Sequence, residues 1–236
     1  MDDREEAPHP LIPIQPGPRR SLAERVRGAD SYGLLLILIL LSLLTTALVG
    51  EGNWGRLVIT AVTGATTLFA FWTSRPSVAV LRVVAVVVAL GLVAAIASAV
   101  AGSGSKLDHV GRIALALITA ATPITVARRL LRHQRIQGST ILGALCIYLL
   151  LGQFFAYLFS AIGAFNKPFF VQDTNPTLVD YLYFSYTTQT TVGYGDFTAA
   201  QNLGRMLAIS EALAGQLYLV TVIALLVSNL GRSRAR

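Results

Sequence analysis

Thr190-Thr191-Val192-Gly193-Tyr194-Gly195-Asp196 is the stretch on which the reading of this chain turns. It stands between a helix-capable run, Thr177 to Gln189, and a long apolar one, Leu207 to Leu230. Gly193 and Gly195 alternate with Val192 and Tyr194, and glycine readily enters the left-handed backbone region that other L-residues avoid. That alternation turns successive carbonyls to one side. The segment therefore predicts a loop presenting backbone oxygens, carried between two helices.

Its surroundings are those of a membrane. Of 236 residues, 54% are apolar and only 13% charged, which argues against a soluble globule. Several runs approach or exceed the roughly 18 apolar residues that cross a bilayer as helix. Six spans are expected, at about Gly33–Val49, Leu57–Trp72, Val78–Ala101, Val110–Val126, Thr140–Phe165 and Leu207–Leu230. The fold class is thus all-α integral membrane protein, with six transmembrane helices and a re-entrant helix and loop between the fifth and sixth. The net charge of +7 does not point to nucleic acid, because the basic residues sit at the ends of apolar runs. With the N-terminus inside, cytoplasmic segments hold Arg4, Arg19, Arg20, Arg25, Arg27, Arg75, Arg82, Arg128, Arg129, Arg132, Arg135, Arg232, Arg234 and Arg236. External ones hold only Arg56, Lys106, Arg112, Lys167 and Arg205, so both termini are expected in the cytoplasm and the loop at the outer face. The polar, proline-bearing start shows no cleavable signal, and the lone Cys146 offers no intrachain disulfide.

Thr191-Val192-Gly193-Tyr194-Gly195 matches, residue for residue, the TVGYG selectivity filter of the tetrameric potassium channels. The resemblance covers about residues 140–230, with Thr140–Phe165 as outer helix, Asn166–Pro176 as turret, Thr177–Gln189 as pore helix and Leu207–Leu230 as inner helix. It implies that rings of carbonyls from four such loops replace the hydration shell of potassium. One loop per chain then implies a homotetramer. By the same resemblance, carbonyls of Thr191, Val192, Gly193 and Tyr194 line the ion sites. The Thr191 hydroxyl completes the innermost site, and Gly195 closes the motif. Asp196 resembles the acidic residue that braces the filter from behind. Its partner on the pore helix is left open, because Thr187 and Tyr183 or Phe184 stand where relatives carry an acidic or aromatic residue. Thr187 and Thr190 are further candidates for filter support. Tyr181, Tyr183, Phe184 and Tyr186 supply rings that wedge the filter or simply pack.

Downstream, the Gly204-Arg205 pair matches the family's start of the inner helix, and Gly215 falls at its hinge position. Glycine within a helix costs about 1 kcal/mol relative to alanine, so Gly215 has a bending or a packing reason. Leu219, Ile223 and Val227 share one helical face, which by resemblance lines the cavity; ordinary helix packing is the alternative. Glu211 is the only acidic residue inside an expected span, and such a residue faces protein or water. It is expected against the pore helix, bonded to Ser185 or Thr187, with a structural role favoured over pH sensing.

The four leading helices have the layout of a voltage sensor without its charge. Each charge crossing the field is worth about 2.3 kcal/mol per 100 mV, and the fourth span carries only Arg112 at its outer edge. Strong voltage dependence is not expected. The organisation is then 1–32 cytoplasmic tail, 33–127 four-helix membrane domain, 128–139 basic linker helix, 140–230 pore domain and 231–236 short tail. Arg128, Arg129, Arg132 and Arg135 anchor the linker and are candidates for anionic lipid. No catalytic constellation or metal-ligand spacing occurs, so an enzyme is not expected and no cofactor is called for beyond potassium as permeant ion. The expected setting is the plasma membrane. The rivals are a less selective cation channel and a non-conducting membrane scaffold.

Overall fold

The computed structural model describes residues 31–50, 52–74, 78–101, 106–131, 138–165 and 168–224. Five long helices come first: α1 Ser31–Val49, α2 Asn53–Ser74, α3 Val78–Ala101, α4 Lys106–Leu131 and α5 Gly138–Phe165. A short helix α6, Leu178–Gln189, and helix α7, Asn202–Tyr218, follow, and α7 passes into one π-helical turn, Leu219–Ile223. The only β-pairing among the described residues is a single bridge between Phe170 and Ala199.

Helices α1 to α5 each hold a stretch long and apolar enough to cross a membrane. The chain is an all-α integral membrane protein. The expected spans fall inside these helices, which extend further because the apolar rule marks only what must sit in hydrocarbon. Polar Asn53 and Lys106 thus begin helices ahead of the runs read from hydropathy. The sixth helix likewise starts at Asn202, ahead of Leu207, and is described as far as Ala224. Val227 and the rest of that span lie outside the described residues, as do both tails, Arg132 and Arg135. Arg128 and Arg129 close α4 in helical conformation, and Arg128 is exposed.

Threonine and serine are numerous in these apolar helices, and they are buried without becoming liabilities. Thr46, Thr119 and Thr122 donate to the carbonyls of Ser42, Leu115 and Ile118, at 2.9, 2.7 and 2.9 Å. A hydroxyl that bonds back to its own helix leaves nothing unsatisfied in hydrocarbon.

Three of the four leading helices, α1, α2 and α4, are fastened to α5 of the same chain. Along one face of α5, at spacings of four and three residues, Gln153, Tyr157 and Ser160 each meet a different helix. Gln153 Nε2 donates to Ser42 Oγ of α1 at 3.1 Å, and Tyr157 Oη lies 3.0 Å from Thr63 Oγ1 of α2. Arg112 of α4 donates to Ser160 Oγ at 3.0 Å. The one basic residue of the fourth expected span is therefore held at the α4–α5 seam.

Candidate functional site

The site begins with how α6 is started. Thr177 caps it, and Asp180 three residues on returns the favour: Asp180 Oδ2 accepts from Thr177 N at 2.7 Å and Thr177 Oγ1 accepts from Asp180 N at 3.4 Å. This reciprocal box satisfies free amides at the helix start and puts negative charge at the positive end of its dipole.

The body of α6 is gripped by rings. Tyr181 and Phe184 enter a buried cluster with Phe159 of α5 and with Phe169 and Phe170 from the loop before α6. Phe170 is wholly buried, its ring centroid 5.1 Å from Tyr181 and 5.2 Å from Phe184. The segment expected as a turret is thus partly core. Gly204 lets the start of α7 join it, since a Cβ there would lie 3.0 Å from that of Ala199 and 3.2 Å from the Phe169 ring. The four rings of α6 divide their work: Tyr186 donates its hydroxyl to Leu149 O of α5 at 2.7 Å, and only Tyr183 turns to the loop.

At the C-terminal end of α6 the chain changes hand three times. Thr191, Gly193 and Gly195 have φ of 61°, 50° and 82°, in the left-handed region, separated by Val192 and Tyr194. Gly193 and Gly195 take the conformation expected of them, and Thr191 takes it too, which only tertiary context imposes on a threonine. The amides of Val192 and Gly193 both donate to Thr187 O, at 2.9 and 3.1 Å. A trans peptide carries its carbonyl opposite its N–H. The carbonyls of Thr191 and Val192 therefore point away from α6, toward the open side of the loop.

Asp196 finds its brace in Tyr183, whose hydroxyl donates to Asp196 Oδ2 at 2.8 Å while its ring stacks on Tyr194 at 6.1 Å and 7°. Of the alternatives left open by the sequence, Tyr183 supplies the side-chain partner. The hydroxyls of Thr187 and Thr190 stay on their own helix, donating to Tyr183 O at 2.9 Å and Tyr186 O at 2.6 Å. Thr187 supports the loop through its backbone carbonyl.

Behind the loop, Glu211 is fully buried and meets Ser185, one of the two partners expected for it. Gly215 is buried where α7 crosses the end of α6: a Cβ there would stand 2.7 Å from Gln189 O. The α-helix runs unbroken through Gly215, and the departure from α geometry comes four residues later, at Leu219. Leu219 is half-buried and Ile223 closes the π-turn; Met206, Ile209, Leu213 and Leu217 of α7, with Val220 of the π-turn, form an outward stripe.

Two residues that the sequence reading passed over belong to the site. Gln189, fully buried at the end of α6, donates to Tyr148 O of α5 at 2.9 Å. Gln216 Nε2 donates to Thr191 Oγ1 at 3.3 Å, linking α7 to the base of the loop. An amide directly after a glycine, inside a run expected to cross the membrane, was the available signal for Gln216.

Residues 143–232 match the protein-family model described as an ion channel. The match supports an ion channel. It takes in most of α5, all of α6 and α7 and the loop between them, and leaves α1 to α4 outside it. No curated protein matches the chain.

Proposed function

We propose that this chain is one subunit of a potassium-selective channel, with four copies around an axis and Thr191 to Gly195 as the filter. The observation that carries the reading is the backbone of that loop. Residues of positive φ alternate with residues of negative φ, amides tie back to Thr187, and carbonyls turn to the open side. Carbonyl rings of this kind coordinate a dehydrated cation. The negative end of the α6 dipole adds to the attraction.

Assembly into a homotetramer is favoured by what one chain leaves bare. Val192 and Tyr194 are exposed beside the loop, and so is the Met206–Val220 stripe of α7. Copies around an axis cover both. In this reading Gly215 fixes the inner helix against the pore helix, Leu219, Ile223 and Val227 line the cavity, and both termini face the cytoplasm of a cell-membrane protein. The basic run Arg128, Arg129, Arg132 and Arg135 meets anionic lipid. Opening is expected to depend little on voltage.

The test is current from purified protein in a planar bilayer, with potassium on one side and sodium on the other. The expected reversal potential is that of potassium, with an open probability flat in voltage. A reversal near zero would point to an unselective cation pore, and silence would favour the scaffold.

A second prediction follows from the brace. Tyr183→Phe keeps the stacking on Tyr194 and deletes the hydrogen bond to Asp196. A net hydrogen bond is worth about 1 kcal/mol, so the conducting filter should lose roughly fivefold in population relative to non-conducting ones. Single-channel recording at constant potassium should show open bursts shortened by about that factor, with selectivity kept. Unchanged bursts would remove Tyr183 from the filter's support.

A further inference from the structure

We infer that Glu211 holds a proton in this packing, and that the proton joins α7, α6 and α5 behind the loop as one hydrogen-bonded chain. The argument is one of counting hydrogens. Ser185 Oγ lies 2.7 Å from Gly152 O of α5 and is also in hydrogen-bond contact with Glu211 Oε1. A serine hydroxyl has one hydrogen and two lone pairs. It cannot donate to a carbonyl and a carboxylate at once. With Glu211 ionised, one of those oxygens would face a serine lone pair inside a buried contact. With Glu211 protonated the conflict disappears: the acid donates to Ser185 Oγ, and Ser185 passes its own hydrogen on to Gly152 O.

The surroundings agree. Glu211 and Ser185 are both fully buried, and the second carboxyl oxygen of Glu211 has no hydrogen-bond partner. Gln189 Oε1, a further buried acceptor, has none either. A bare carboxylate would add charge where two buried acceptor oxygens already make no hydrogen bond within the protein. The titratable groups facing Glu211 are Tyr148 of α5 and Tyr186 of α6. Tyr186 is committed to Leu149 O, and the Tyr148 hydroxyl makes no hydrogen bond. Arg205 of α7 and Arg112 of α4 are engaged elsewhere, on Ala199 O and on Ser160 Oγ. A buried carboxylate with no cation beside it is costly, whereas the acid is not.

Glu211 is on this account a positioning residue. Its proton keeps α6 seated against α5 and α7, and α6 carries the Thr187 carbonyl on which the loop hangs. The proton is present at low pH. As pH rises and it is lost, a bare charge appears between α6 and α7, Ser185 must choose between acceptors, and the loop loses its seating. The consequence for ion flux rests on the channel reading above; the proton itself does not.

Two measurements separate the two. The first is infrared spectroscopy on the full-length protein in lipid, unlabelled and with carbon-13 glutamate. A protonated-carboxyl carbonyl band that shifts with the label should persist at neutral pH, where solvated glutamates are ionised, and be missing from Glu211→Gln. This needs no ion conduction, and the labelled wild type alone suffices if the variant does not fold. The second is potassium flux from liposomes between mildly acidic and alkaline pH. Wild-type flux should fall by about tenfold as pH rises, the ratio given by a 1.4 kcal/mol change between packings, and Glu211→Gln should show a flat profile whatever its level. Absence of the band, or superimposable pH profiles, would overturn the inference. A clear band in a protein that passes no ions would uphold the proton and sink the channel reading instead.

Discussion

Gly215→Val is expected to abolish ion flux while the chain still inserts in the membrane. The Cβ of any residue at 215 would stand 2.7 Å from the carbonyl oxygen of Gln189 and 2.8 Å from its Cγ. The first of these is backbone, so no side-chain rotation relieves it. Gln189 itself is pinned, through Nε2 to Tyr148 O at 2.9 Å, and the next amide, Thr190 N, donates to Tyr186 O at 3.0 Å. The strain must be met by α7 moving off the end of α6. That movement separates Gln216 from Thr191 and Glu211 from Ser185 together, so a local clash becomes loss of the loop's whole rear support. Overpacking of this kind costs roughly 1–3 kcal/mol, more than enough to empty a marginal conformation. Gly215→Ala should lie between, with reduced flux. The checks are flux from liposomes and the amount of protein recovered in the membrane fraction. Normal flux from the valine variant would mean that α7 does not press on Gln189. A hinge role alone makes a different forecast, since a bending site with free space around it would accept valine with altered gating and an intact loop.

That contrast shows which parts of the site sequence was able to carry. Helix existence was legible because hydrocarbon demands long apolar runs, and all five leading helices lie where those runs are. The loop was legible for a narrower reason: Gly193 and Gly195 announce a left-handed backbone, and both have it. Thr191 has it as well without announcing it, because its conformation is set by amides of the next two residues reaching back to Thr187. Asp196 told that it needed a partner and left Thr187, Tyr183 and Phe184 open for the part. Choosing Tyr183 takes the actual rotation of α6, which is fixed by Tyr181 and Phe184 turning into the core. Gly215 was equally suited to hinge and to contact in the one-dimensional record, and only the approach of Gln189 separates them. Gln189, Gln153 and Gln216 were least legible. A buried polar residue in a membrane helix is defined by whom it meets, and Gln153 meets Ser42 from a helix more than a hundred positions earlier.

The same dependence on distant partners governs the largest stability effect in the molecule, expected at Phe170. Sequence placed it in an external turret, where a phenylalanine is of little consequence. In the structure its ring is wholly buried and touches four others: Phe169 at 4.9 Å, Phe197 at 5.0 Å, Tyr181 at 5.1 Å and Phe184 at 5.2 Å between centroids. Those neighbours come from the approach to α6, from α6 itself and from the segment after Asp196, so this ring closes the aromatic core from three directions. Phe170→Ala removes it and leaves a cavity that the pinned backbone cannot collapse into. Val171 N donates to Thr198 O at 3.0 Å and Ala200 N to Phe169 O at 2.8 Å, holding the walls apart. The expected cost is roughly 3–5 kcal/mol, as for other phenylalanine-to-alanine changes in cores. Val171→Ala is the internal control. Its side chain is 61% exposed on the other side of the same strand-like segment, and its truncation should stay within about 0.5 kcal/mol. Thermal denaturation of both variants in the same mild detergent is the measurement. Phe170→Ala should denature far below the wild type and Val171→Ala beside it. Equal midpoints for the two would mean that the rings before α6 do not hold that helix in place.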